Sequence, residues 1–302
     1  MLFKASAPGS LMVLGEYAVL HDKYALVLAV NKRMTVTLTP RTDSLIRISS
    51  DQFGETTQQL SQLTIVAPFQ FILATLKYYQ PQLRSGCDIV VKSDFSDQLG
   101  FASSAAVTVA TLAVLSRWLN VSNDDLQLIT LARDIVRSVQ GVGSGADVAA
   151  CVMGGVVAYR AHPLSVEKFS EFCPFTVVYS GSKTKTVDAI AHVKKYFASQ
   201  PDLYEKICDA ISQCAIQGID CVRQHDWVEL GKLMDIQQGL MDALAVNNSR
   251  LTQLIYQLRS QKNMLGAKIS GSGLGDCVIG LGVASIDSSI ELAEQGVICE
   301  TI

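Results

Sequence analysis

The chain has 302 residues, 49% of them hydrophobic and 18% charged, enough to bury one large core or two modest ones. A formal net charge of −3 gives no field that would draw nucleic acid or an anionic membrane. The apolar runs break well before the roughly 18 residues of a membrane span, and Met1-Leu-Phe-Lys-Ala-Ser-Ala-Pro-Gly9 reaches proline too soon for a secretory leader, so a cytoplasmic protein is expected.

Taken in chain order, β-branched alternation predicts strands over Phe3–Ser6, Met34–Pro40 and Leu45–Ser50. A helix is expected over Phe69–Tyr79, after Pro68, and a strand over Cys87–Val91. A long apolar helix should start near Ser103 and run toward Leu119. A second starts at the capping signal Ser122-Asn-Asp-Asp125 and continues through Leu128, Leu131 and Val136. The apolar run Cys151–Tyr159 reads as a strand, and Ala161-His-Pro-Leu164 as a seam that divides the chain into residues 1–165 and 166–302.

Beyond the seam, Phe175–Tyr179 reads as a strand, and helices dominate to Met264. Tyr204–Val222 carries one apolar face, on which Gly218 falls and weakens the case for an unbroken helix. Trp227–Leu244 repeats the pattern, and Lys268–Ser270, Cys277–Gly282 and Val297–Thr301 supply closing strands. The order is mixed α+β, without a βαβ dinucleotide fingerprint. Eight scattered cysteines without a Cys-x-x-Cys pair, and four histidines without ligand spacing, predict buried free thiols and no zinc.

Three small-residue segments carry the chemistry. Gly266-Ala-Lys-Ile-Ser-Gly-Ser-Gly-Leu-Gly-Asp-Cys277 has the glycine and serine content that lets backbone N–H groups approach an anion, with Ser270, Gly271, Ser272 and Gly273 as candidates. Leu99-Gly-Phe-Ala-Ser-Ser-Ala-Ala-Val107 leads into a helix whose N-terminus would face phosphates, through Gly100, Ala102, Ser103, Ser104 and Ala105, with Ser104 also able to ligate Mg2+. An ordinary serine N-cap is the other reading of that turn. The third, Ala7-Pro-Gly-Ser-Leu-Met-Val-Leu-Gly-Glu-Tyr-Ala-Val-Leu-His21, lies at the start of the chain.

This ordered set, from Ser6 to about Gly282, resembles the GHMP kinases, the superfamily of galactokinase, homoserine, mevalonate and phosphomevalonate kinases. The resemblance implies an N-terminal domain like ribosomal protein S5 domain 2 and a ferredoxin-like C-terminal α+β sandwich, with the site in the cleft between them. It implies ATP and Mg2+, a small-molecule acceptor, and no nucleic acid or membrane partner; a homodimer is compatible with it. Asp147, in Gly143-Ser-Gly-Ala-Asp147, matches the aspartate motif of mevalonate-type kinases and would orient or deprotonate the acceptor hydroxyl, though a helix N-terminal aspartate bonded to its own backbone is the plainer reading. Ser10, Glu16, Tyr17, His21 and Gly145 would border the acceptor.

Two departures stand out. Ser10 occupies the position of the family lysine beside the aspartate, and Val136 that of a Mg2+-binding glutamate. Lys183 and Lys185 are candidates for a relocated cation, or else part of a solvated basic loop. Segments such as Ser6-Ala-Pro-Gly9 and Leu230–Val246 resemble mevalonate kinases, implying phosphorylation of the primary hydroxyl of mevalonate in isoprenoid precursor synthesis. Gly275-Asp-Cys277 and the aspartate motif resemble phosphomevalonate kinases, the second reading, for which Arg133 and Arg137 would be extra cations unless they form a solvated helix face. A catalytically weak, metabolite-binding relative is the third.

Overall fold

The computed structural model describes residues 1–96, 99–284 and 290–302. Two long strands, β1 (Phe3–Leu14) and β2 (Ala25–Pro40), pair antiparallel and form the spine. Ala7-Pro-Gly9, the start of the third small-residue segment, is therefore strand. Its small residues mark close packing instead of a turn: a Cβ on Gly9 would lie 2.9 Å from the Phe101 carbonyl oxygen. The register slips between Pro8 and Gly9, a bulge at which proline's missing N–H is tolerated.

β3 (Leu45–Ser50), β4 (Gly54–Gln59) and β5 (Cys87–Ser93) extend this sheet, with β3 and β5 parallel. β4 escapes the sequence reading because Gly-Glu-Thr-Thr-Gln-Gln has no apolar alternation, as suits a solvated edge strand. β6 (Val156–Arg160) pairs with the first part of β2, and β7 (Ser165–Phe169) pairs with β6. The expected division at residue 165 thus falls on the first residue of β7, inside the first sheet.

Four helices accompany these strands: α1 (Gln70–Tyr79), α2 (Ser103–Leu119), α3 (Asp125–Gln140) and α4 (Ala146–Met153). α2 packs on β1 and β2 and is buried on most of its sides. α3 starts in a capping box: the Gln127 N–H donates to Asp124 Oδ1 at 2.8 Å, and the Asp124 N–H to Gln127 Oε1 at 3.0 Å. Cys151–Met153, expected in a strand, closes α4. The apolar run hides two elements, separated at Gly154-Gly155, because a short buried run has no period to distinguish helix from strand.

The second sheet has three antiparallel strands in the order β8 (Phe175–Tyr179), β10 (Cys277–Leu281), β9 (Gly266–Ser270). α5 (Thr186–Tyr196), α6 (Pro201–Gln224), α7 (Trp227–Ala243) and α8 (Ser249–Arg259) accompany it, with α7 and α8 packed on β9. α6 is unbroken, and Gly218 is where it crosses β1: a Cβ there would lie 2.2 Å from Leu14 Cδ1. β11 (Ile298–Thr301), expected among the closing strands, returns to pair with β1 at the far edge of the first sheet. One hydrophobic core joins Leu14 and Val27 of the first sheet to Ala215, Leu230 and Ile279 beyond the seam. Among the described residues, no helix is long and apolar enough to cross a membrane.

Candidate active site

The three small-residue segments meet where β1, the start of α2 and the β9–β10 turn come together. The Ser10 N–H donates to the Phe101 carbonyl at 3.2 Å. Ser270 Oγ donates to the Met12 carbonyl at 2.9 Å, and the Tyr17 hydroxyl to the Ser272 carbonyl at 2.6 Å. Cys277 Sγ donates to the Leu99 carbonyl at 3.0 Å. Residues more than 170 positions apart are thereby in direct contact.

At the head of α2, the Ala105 and Ala106 N–H groups bond back to the Ala102 carbonyl, so those of Ser103 and Ser104 have no acceptor inside the helix. Ala102 itself adopts φ 52°, the left-handed region that favours glycine, so the loop keeps its shape although alanine stands there. Ser103, Ser104 and Val107 line a cavity of about 280 Å³, walled also by Phe53, Pro68 and Phe71. A donor-rich helix end opening beside an apolar, aromatic-walled slot suits a phosphorylated ligand that carries a flat base. A broader groove of about 950 Å³ between α1 and α3 contains none of these residues.

Asp147 lies in the first turn of α4, after Gly145 at φ 94°. A Cβ on Gly145 would strike Tyr159 Oη and Arg133 Cδ, so glycine is required for this turn to pass. Ser10 Oγ donates to Asp147 Oδ1 at 2.8 Å. The serine at the family lysine position therefore holds the carboxylate by a hydrogen bond and brings no charge. Burial pushes the Asp147 carboxyl above its ordinary range and the Glu16 carboxylate adds to this, while the Ser10 bond opposes it.

Glu16 is only 3% exposed and does not reach into open space: one oxygen pairs with Lys268, the other accepts from Gln237. The Gln237 carbonyl oxygen in turn accepts from the Gly15 N–H at 3.1 Å. Lys268, fully buried in β9, is a cation the sequence reading passes over. Its signal was a lone charge inside an otherwise apolar strand. Burial lowers its pKa, and Glu16 opposes that shift.

Of the two lysines expected near the site, Lys183 lies beside Asp276: Asp276 donates its N–H to the Ser182 carbonyl at 2.8 Å, and the Lys183 charge acts on its carboxyl. Lys185 is exposed at the N-cap of α5. Asp276 is 8% exposed and packs against Gly100; burial raises its pKa to about 6, against the pull of Lys183. His21 lies outside the cluster, bonded to the Tyr204 hydroxyl at 3.0 Å at the surface of α6. Arg137 braces the aspartate loop, its Nε donating to the Gly143 carbonyl, while Arg133 pairs with Asp134 on its own helix and its stem packs near Gly145.

Three buried side-chain atoms among the described residues lack a hydrogen-bond partner: Gln70 Oε1, Ser272 Oγ and Asp276 Oδ1. Gln70 lines the cavity beside α2, and the other two belong to the β9–β10 turn. Buried polar atoms are normally paired, so these three are exceptions within the described residues.

A donor-rich helix end, tied through Ser10 to a hydrogen-bonded carboxylate, fits a small-molecule kinase. The chain belongs to the GHMP kinases: the N-terminal domain model of that family matches residues 70–155 and its C-terminal model residues 219–289. It is 30% identical to the mevalonate kinase of Archaeoglobus fulgidus, over 92% of this chain and 91% of that one. It is 28% identical to the mevalonate kinase of Pyrococcus horikoshii, over 92% and 88%. Among solved structures, the Lin0012 protein from Listeria innocua matches at a TM-score of 0.87 with 20% identity over 99% of each chain. Streptococcus pneumoniae phosphomevalonate kinase, in complex with phosphomevalonate and AMPPNP, matches at 0.79 with 18% identity, over 93% of this chain and 92% of that one. These structures share the fold.

Proposed function

We propose that the protein transfers the terminal phosphoryl group of ATP to the primary hydroxyl of mevalonate. The observation that carries this reading is the Ser10–Asp147 hydrogen bond, which fixes a carboxylate made more basic by burial to the strand whose Ser10 N–H is tied to the loop before α2. Phosphoryl transfer asks for positioning and charge stabilisation more than for covalent chemistry. Asp147 orients the acceptor hydroxyl and takes its proton. The open N–H groups of Ser103 and Ser104 and the turn from Ser270 to Gly273 bind the polyphosphate, and the cavity with Gln70 takes the base.

The residues fit Mg2+. Among the described residues no three-ligand cluster exists, but Mg2+ keeps several waters and takes few protein oxygens alongside substrate phosphates. Ser104 Oγ and the Asp276 carboxylate, whose Oδ1 lacks a partner, would hold it. When bound, the ion neutralises charge on the phosphates. Lys183, beside Asp276, adds a cation that no residue at position 10 provides.

Mevalonate is favoured over its phosphate because the curated relatives named above are mevalonate kinases and because Arg137 is committed to the Gly143 carbonyl and Arg133 to Asp134. A phosphorylated acceptor needs further unpaired cations. Phosphomevalonate is the second reading, favoured by Asp276 in Gly275-Asp-Cys277 and by the basic loop at Lys183 and Lys185. Steady-state ADP production with mevalonate, phosphomevalonate, galactose and homoserine tests both. Turnover confined to phosphomevalonate would replace the first reading by the second.

A further inference from the structure

Two consecutive residues after β1 grip two consecutive residues of the β9–β10 turn. Glu16 Oε1 accepts from the Gly271 N–H at 3.4 Å, and the Tyr17 hydroxyl donates to the Ser272 carbonyl at 2.6 Å. Glu16 is held in turn by Lys268 and Gln237. Tyr17 is buried, shares an apolar cluster with Ile190, Val193 and Met241, and has its backbone at φ 63°. A bulky residue in that left-handed region is an outlier, kept only where its surroundings over-determine it. Burial, with Tyr204 and Glu16 adding to it, pushes the phenol pKa up, so near neutral pH the hydroxyl keeps its proton and donates.

We propose that Tyr17 is a positioning residue for the phosphoryl donor and not part of the acceptor pocket: by pinning the Ser272 carbonyl on one side of the turn, it aims the Gly273 N–H to the other. The proposal rests on the reading of this turn as part of the phosphate site. The C=O and N–H of a trans peptide are rigidly coupled and point in opposite directions, and the Ser272–Gly273 peptide is trans. Among the described residues the Gly273 N–H meets no backbone acceptor, and Ser272 Oγ is buried without a partner. Both are donors that a phosphate oxygen answers. The second half of the turn is tied from elsewhere. The Leu274 N–H donates to the Val246 carbonyl at 2.7 Å, Thr184 Oγ1 to the Leu274 carbonyl at 3.1 Å, and the Asp276 N–H to the Ser182 carbonyl. This leaves the Ser272–Gly273 peptide to Tyr17.

The test is calorimetric titration of the full-length protein with the Mg2+ complex of AMPPNP, a non-hydrolysable ATP analogue, which needs no acceptor. Tyr17→Phe keeps the ring in its cluster and removes only the hydroxyl, and affinity is expected to fall roughly three- to tenfold. Ser272→Ala should weaken binding to a similar extent. Because both act at one peptide plane, the double variant should lose less than the product of the two single losses. In steady-state turnover, Tyr17→Phe should raise KM for ATP and leave KM for the acceptor within about twofold, a split that a general loosening of the fold does not produce. Three results would overturn the proposal: wild-type affinity in Tyr17→Phe beside a weakened Ser272→Ala, losses that simply multiply, or an effect of Tyr17→Phe confined to the acceptor. Ser272→Ala binding as tightly as the wild type would instead take the phosphates away from this turn and refute the reading on which the proposal stands.

Discussion

Ser10→Ala is the most direct probe of how this site works without the family lysine. The substitution removes one hydroxyl from a position 1% exposed and leaves Asp147 Oδ1 without its 2.8 Å donor. A hydrogen bond to a charged group contributes about 1.5–3 kcal/mol. Asp147 is partly exposed, so water recovers some of this and the lower half of that range applies, about tenfold to fortyfold in rate. Two effects combine in the loss. The carboxylate is less firmly aimed, and its pKa, already raised by burial, rises further once the opposing bond is gone. A coupled assay of ADP release across pH should show a lower kcat and an acid limb displaced upward, with KM for ATP within about twofold of wild type, since Ser10 contributes only its N–H to the nucleotide loop. An unchanged kcat and an unmoved limb would refute the role assigned to this bond.

Asp147→Asn keeps the shape and the bond from Ser10 but removes the base, so turnover should fall by at least about 100-fold. Because the folded protein raises the pKa of Asp147, the ionised carboxylate destabilises the fold above that pKa and is harmless below the unfolded value. Thermal unfolding should accordingly show this substitution raising Tm near pH 8, a gain that disappears near pH 3; a lower Tm at pH 8 would contradict this. Gly273→Ala places a Cβ 2.5 Å from the Val246 carbonyl oxygen at φ 76°, and both Tm and ATP use should drop, the latter whichever acceptor is supplied. Lys183→Met should lower kcat/KM by roughly tenfold or more through the loss of a cation at the phosphates, while Lys185→Met at the exposed start of α5 should leave it within about twofold. Equal effects of the two lysine variants would indicate a general charge contribution from the loop.

The long helices could be read from the sequence because α3, α6 and α7 each keep one apolar face over several turns. Of β1 only Phe3–Ser6 could be, since the proline and glycine that follow mark turns in most chains and the crossing of the Phe101 loop explains them here. Cys151–Tyr159 failed for a different reason: a run buried on every side carries no periodicity. At the site, the phosphate loop and Asp147 were legible as local strings of small residues around a polar one. The partners of Glu16 were not, because Lys268 lies 252 positions away and Gln237 reads as one more polar residue on a helix. Asp276 was visible as part of a motif, yet nothing local indicates that its side chain packs on Gly100.

The hydrophobic core that runs without interruption from β1 and β2 to α6, α7 and β10 constrains how this enzyme encloses its substrates. Two bodies hinged over a cleft close by rotating, and the surface between them must be free to slide. Here that surface is filled by Leu14 against Gly218 and by the polar knot of Glu16, Gln237 and Lys268, so rotation would tear a packed interior open. Enclosure therefore falls to the short segments at the rim, such as the turn from Ser180 to Lys185. Ligand binding should then be nearly silent in overall dimensions and pronounced in the amide exchange of a few loops.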